Sequence, residues 1–384
     1  MIKFIKKYAQ LSPEEEKALS ASFSKANRAR IKKNIDYLMS TFQPLYEHSK
    51  LTEKEKSIRF SKKIALLLKN HPTLFLCDPN PKNNGSIASK IAFYQKYMDV
   101  KPYQLTFFHA DLLTVDTYEN SNAENMLLYF QDVLEFDRKE LYQVFTKYPP
   151  LIKQPCDDEF NKKVMFWQDI ADYARVSLND FFVRNIHLIS HSVDPNEPNS
   201  APAKFEYFMN RFGLTPEDLS FQIHQFSNFF GLDINPDKPR SVEEKIKMFN
   251  EIGLSDQKLS KNLKALGCPK EKIKLRYMLC QNYGISTSTF LNGKFMLHES
   301  KLYARGEFLK ENWTYPSSLI YATEGQFSIR TKTSIKDLVK KYPLTEAVIL
   351  KQQEKYNQKS RKPVTLTDEE IKAASSQDES ELGE

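Results

Sequence analysis

The feature that most constrains this chain is a helical hairpin that repeats. Two copies stand out between Ala203 and Met278: AKFEYFMNRFGLTPEDLSFQIHQFSNFFGLD and, after a linker bearing Pro and Lys, EEKIKMFNEIGLSDQKLSKNLKALGCP. Each opens on an apolar run at helical spacing (Phe205, Phe208, Met209, Phe212; Ile246, Phe249, Ile252) and reaches Gly-Leu-Thr or Gly-Leu-Ser. Each then enters a second amphipathic run. A Gly suited to left-handed backbone followed by a Thr or Ser N-cap is the grammar of helix, tight turn, helix.

The same grammar extends in both directions. Endings of the form His71-Pro72-Thr73-Leu74 and Tyr148-Pro149-Pro150-Leu151 recur, and Tyr94, Phe130, Trp167, Phe208 and Phe249 mark one equivalent position at offsets of 36, 37, 41 and 41 residues. These offsets fall inside the range of about 20–50 residues used by stacked repeats. One hairpin cannot bury both apolar faces, so stacking on neighbours must supply the core. Phe107, Phe108, Leu112, Phe145, Leu151, Phe181, Phe182, Ile186, Phe226 and Phe229 are expected there, together with Trp167 and Trp313. Proline-bearing stretches at 78–81, 194–196 and 235–239 stop helices and separate repeats. With 10 Gly against 27 Phe and 19 Tyr, and few alternating β-branched runs, no sheet is expected. The fold class is all-α, an α-solenoid of stacked helical hairpins forming a curved superhelix. Its expected divisions are a helical cap over 1–33 with a basic end at Arg28, Arg30, Lys32 and Lys33, the array over 34–343, a basic C-terminal helix or extension over 344–364, and an acidic disordered tail over 365–384.

These units resemble the mTERF (mitochondrial transcription termination factor-like) helical-repeat proteins over roughly 35–343. The resemblance rests on 208–219 (FMNRFGLTPEDL), 249–259 (FNEIGLSDQKL), the HPTL and YPPL endings, and 298–305 (HESKLYAR). It implies a superhelix whose concave basic surface binds double-stranded DNA or structured RNA, in transcription regulation, transcription termination or RNA metabolism.

Catalytic signatures are few. The chain has no Gly-rich phosphate loop, no GxSxG and no HExxH. His187 and His191 have i, i+4 spacing but no matching carboxylate or Cys, and read as ordinary polar and core residues. Cys77, Cys156, Cys268 and Cys280 form no CxxC pair, so neither a zinc module nor a disulfide framework is expected. Asp157, Asp158, Glu159, Glu243 and Glu244 precede helices, where acids suit the dipole. The chain is therefore read as non-enzymatic, with no cofactor and no metal.

The formal charge of +7 favours a polyanionic partner if the cations cluster. Lysines recur near first-helix starts: Lys90, Lys162, Lys163, Lys204, Lys245, Lys247, Lys272 and Lys274. The dipole disfavours them there, which points to a functional cause. Arg276, Arg305 and Arg330 rank above the lysines because a planar fork suits phosphate, and Lys301 and Lys332 extend the basic C-terminal region. The alternative reading is a helical-repeat scaffold for a protein partner. The chain is expected to be a monomer that is not in a membrane, since no apolar run approaches about 20 residues. Its N-terminus lacks the apolar core of a signal peptide, so a cytoplasmic, bacterial-type location is expected, with a mitochondrial or other organellar matrix as the alternative.

Overall fold

The computed structural model describes residues 1–375 except 48, 240, 286–297, 313–318, 321, 323 and 360–364. Trp313, Arg361 and Lys362 therefore lie outside the described residues, as does the tail beyond 375. The described residues are all-helical, with two isolated β-bridges, Asp78 to Ser86 and Asp233 to Ser241. They form two compact units, Met1–Ser190 and His191–Glu384. The division at 190/191 cuts the array that was expected to run as one domain over 34–343.

In the first unit, α1 (Ile2–Lys6) and α2 (Pro13–Ser22) precede α3 (Arg28–Phe42), α4 (Glu53–Asn70), α5 (Ile87–Tyr97), α6 (Asn122–Leu128), α7 (Arg138–Lys147), α8 (Asp158–Tyr173) and α9 (Leu178–Asn185). Short 3₁₀ segments follow α4 at 72–76, α7 at 149–153 and α9 at 186–190. The recurring unit is thus a triad of first helix, second helix and 3₁₀ turn. The second triad replaces its second helix by a π-turn at Gln104–Phe108 and ends in a 3₁₀ turn at Leu112–Thr114. Packing of α3 against the π-turn joins the first two triads, and packing of α7 against α9 joins the third and fourth. Between the second and third, Arg138 donates to the Met98 carbonyl at 3.2 Å.

In the second unit, α10 (Ala201–Phe212), α11 (Pro216–Gln225) and the 3₁₀ turn 227–231 make one triad. Another follows with α12 (Val242–Glu251), α13 (Asp256–Leu259) and 263–267. Gly213 closes α10 at φ 62°, and Thr215 accepts from the Asp218 amide at 3.2 Å to open α11, which is the turn the Gly-Leu-Thr signature predicts. The two 3₁₀ turns pack together so closely that a Cβ on Gly267 would lie 3.1 Å from Asn228. The remaining helices are α14 (Lys270–Asn282), α15 (Glu299–Glu311), α16 (Glu324–Thr331), α17 (Ile335–Lys341), α18 (Glu346–Lys359) and α19 (Asp368–Ser375).

The five aromatic markers Tyr94, Phe130, Trp167, Phe208 and Phe249 are all fully buried in the first-helix limbs of successive triads. Leu112, Phe145, Leu151, Phe181, Phe182, Ile186 and Phe229 are core residues as expected. Phe108 and Phe226 are not, being 57% and 49% exposed, and Phe107 is half-buried. Phe108 ends a π-turn, and Phe226 occupies the break after α11 at φ −155°, ψ 83°. Both positions rotate a side chain off the helical register that its spacing predicts.

Three further expectations change. The boundary at 33/34 falls inside α3, so the cap does not end there. The basic cluster Arg28, Arg30, Lys32 and Lys33 occupies the start of α3 and not the end of an earlier helix. The tail from 365 begins as α19, with Leu366 and Ile371 buried and the helix packed on α14 and α18.

Candidate nucleic-acid interface

The lysines nearest the helix starts share a local motif. Asp78, Ser192 and Asp233 each stand eight residues before a serine, Ser86, Ser200 or Ser241, that N-caps the next helix. Four residues beyond each serine is a lysine: Lys90, Lys204, Lys245. The cap fixes the first turn, and one helical turn later the lysine stem lies along the triad's apolar interior.

All three lysines are buried, and each ammonium donates to a carbonyl at the end of its own triad. Lys90 Nζ reaches Val115 O at 2.7 Å, Lys204 Nζ reaches Phe230 O at 3.0 Å, and Lys245 Nζ reaches Cys268 O. These lysines clasp the last turn of the triad back to its first helix. Burial pulls Lys204 down to about 8, with Asp233 partly offsetting it. In the first triad Asn34 does the same work, donating to Phe75 O and Cys77 O, both at 2.9 Å.

The other expected cations divide in two. Arg276 is buried and bonds Glu299 through Nε at 2.5 Å, with Nη1 3.8 Å from Cys268 Sγ. Arg305 is wholly buried over the Phe327 ring, its Nη1 donating to Ile320 O at 3.1 Å and Ala322 O at 2.6 Å. Lys274 holds Glu370 at 3.0 Å and Thr365 O at 3.2 Å, tying α19 to α14. Lys301 pairs with Glu324 at 2.8 Å. Lys204, Lys245, Arg276 and Arg305 are therefore buried and Lys274 is bonded internally, which corrects their assignment to a phosphate-facing surface, while Lys301 stays part-exposed in an ion pair with an exposed Glu324. A buried or internally bonded cation presents little charge to a ligand.

Lys162, Lys163, Lys247, Arg330 and Lys332 remain at least partly at the surface. Lys162 sits 3.8 Å from Glu159. Lys247 shares its surroundings with Glu243 and Glu251, and with an Arg211 already bonded to Glu243 and Asp256 at 2.8 and 2.7 Å. Its local field is mixed. Arg330 and Lys332 differ, because exposed Lys336 and Lys340 continue them one helical turn apart along α17. Lys332 itself turns the chain between α16 and α17 at φ 56°.

The structure also brings forward cations that were read as helix-end charges. Arg28, Arg30, Lys32 and Lys33 are exposed on the first two turns of α3, where the dipole opposes them. A charge count by segment is the signal for them: residues 1–70 hold 16 Lys and Arg against 7 Asp and Glu.

Little else in the described residues suggests chemistry. No group of three or more His, Cys, Asp or Glu among them is placed to hold a metal. His187 lies in a 3₁₀ turn, so the i, i+4 helical geometry considered for His187 and His191 is not formed. All four cysteines are free, and burial pushes Cys280 up to about 12 and Cys156 to about 11, unlike reactive thiols. No helix among the described residues is long and apolar enough to cross a membrane. No protein family, characterised protein or solved structure matches the chain.

Proposed function

We propose that the chain is a non-catalytic nucleic-acid-binding protein whose triads stack into a solenoid of mTERF-like type, acting in transcription or RNA metabolism. The observation that carries this reading is the run Arg330, Lys332, Lys336 and Lys340, four exposed cations on two short helices and the turn between them. Around them Lys301, Arg305, Lys310 and Lys341 are engaged by protein groups. Such a run tracks a phosphate backbone without reading sequence. Packing of α17 against α15 and α16 holds the run in place.

The test is a salt-titrated binding assay with random duplex DNA and structured RNA. Binding should be strong near about 50 mM salt and fall steeply as salt rises. Replacing all four residues by Gln should weaken it and lower the log–log salt slope by about 3–4, close to one unit for each phosphate no longer neutralised. Absence of binding at low salt refutes the reading. Binding that ignores the fourfold substitution refutes this surface.

A further inference from the structure

The first unit holds a groove of about 570 Å³ at the meeting of α1, α2 and α3, and its composition is one-sided. Lys3, Arg28 and Lys32 line it, and no acidic side chain among the described residues does. The three acids of α2 are engaged elsewhere: Glu14 bonds the Ser12 side chain, Glu15 closes the capping box with Ser12, and Glu16 pairs with Lys6 at 2.6 Å. Apolar side chains, including Ile2, Phe23 and Ile35, complete the lining. Along α3 the lining positions 28, 31, 32 and 35 are i, i+3, i+4 and i+7, a stripe two turns or about 10 Å long. The positive end of the α3 dipole adds to the field of the cations.

A phosphate backbone uses the rim of such a groove and leaves its apolar floor empty. A ligand that fills both must carry carboxylates beside an apolar face. We propose that this groove docks an acidic amphipathic helix of a partner protein. The apolar face of that helix covers the half-buried Ile2 and Ile35, and carboxylates one turn apart meet Arg28 and Lys32, themselves one turn apart. The inference does not depend on the nucleic-acid reading and uses none of the cations that carry it.

The probe is a fluorescent synthetic helix of about 15 residues with Leu at i, i+3, i+4, i+7 spacing and Glu elsewhere, titrated against the full chain by anisotropy. A control peptide carries Lys in place of Glu. The Glu peptide should bind at least about tenfold tighter than the control. Arg28→Glu with Lys32→Glu should remove that preference, and Ile35→Glu should weaken binding about tenfold. Because 28 and 32 are exposed and 35 only half-buried, circular dichroism and the thermal midpoint should stay close to those of the unaltered chain, and the same comparison after Ile35→Ala guards against misfolding. Equal binding of the two peptides, or binding indifferent to all these changes, overturns the proposal. So does binding of structured RNA or anionic vesicles that the double reversal abolishes while neither charge reversal nor Ile35→Glu alters peptide binding, since the cations then serve a polyanion or a lipid surface. Duplex binding scored on the Arg330 to Lys340 variants separates failure of this proposal from failure of the other.

Discussion

Lys204 and Lys336 are the same residue type, both near a helix start, with opposite fates. Lys204 follows its cap Ser200 by four residues and disappears into the triad, bonded to Phe230 O. Lys336 follows its cap Ser334 by two residues and stays in water. The difference is about half a helical turn. At 100° per residue, a shift of two positions rotates a side chain from the face that meets the 3₁₀ turn to the face that meets solvent. A lysine count therefore overstates the charge a surface presents, because a shift of two positions from the cap separates a buried lysine from an exposed one in this pair.

The largest effect is expected where a charge is both buried and paired. Arg276→Ala strips the fully buried Glu299 of its arginine partner and leaves, among the described residues, only His298 nearby at 3.9 Å, so unfolding in urea should show a loss of about 3–5 kcal/mol. Replacing the pair together by Met and Leu should recover much of it. If Arg276→Ala is nearly neutral, the internal assignment of this arginine is wrong.

Lys204→Ala comes next. It removes the buried bond from Lys204 Nζ to the Phe230 carbonyl and opens space along the lysine stem, and a loss of about 2–3 kcal/mol is expected. Lys336→Ala should stay within about 0.5 kcal/mol under the same measurement. Equal effects at the two sites would erase the comparison.

The smallest effect is a pH dependence. The proton on Lys204 leaves the folded protein near 8 but stays on the unfolded chain up to about 10.4. Across that window the unfolded state binds more protons, so the stability due to Lys204 rises with pH. The neutral amine still donates to Phe230 O. The stability gap between the unaltered protein and Lys204→Met should widen by on the order of 1–2 kcal/mol between about pH 7.5 and about pH 10. A constant or narrowing gap would mean the ammonium is better solvated than its burial implies.

Much of the fold was legible in the residues. The aromatic register found five fully buried positions because each repeat must hide its largest side chains from water. Gly213 and Thr215 were legible because few residues tolerate left-handed backbone or cap a helix from a side-chain oxygen. The interface was less legible. Dipole logic flagged Lys204 and Lys245 as anomalous at helix starts, correctly, but the cause is a carbonyl at the far end of the same triad, 26 and 23 residues away. One local clue existed: a lysine at a fixed distance from a capping serine, in register with the core aromatics, is under the same constraint as the core. Phe108 and Phe226 misled in the other direction, because a π-turn and a helix break shift the phase on which helical spacing relies.

By itself, then, the sequence determined the helices, their caps and turns, and the period that sets which aromatics are buried. Each of these follows from short-range backbone sterics and from the need to hide apolar area. Which cations face water was decided by the tertiary structure alone. The free energy of a lysine turns on whether a carbonyl, a carboxylate or solvent lies at the end of its stem, and that partner is placed by packing between distant segments. So Lys204, Lys245, Arg276 and Arg305 became part of the frame, while Arg330, Lys332 and the cluster at the start of α3 remained on its surface.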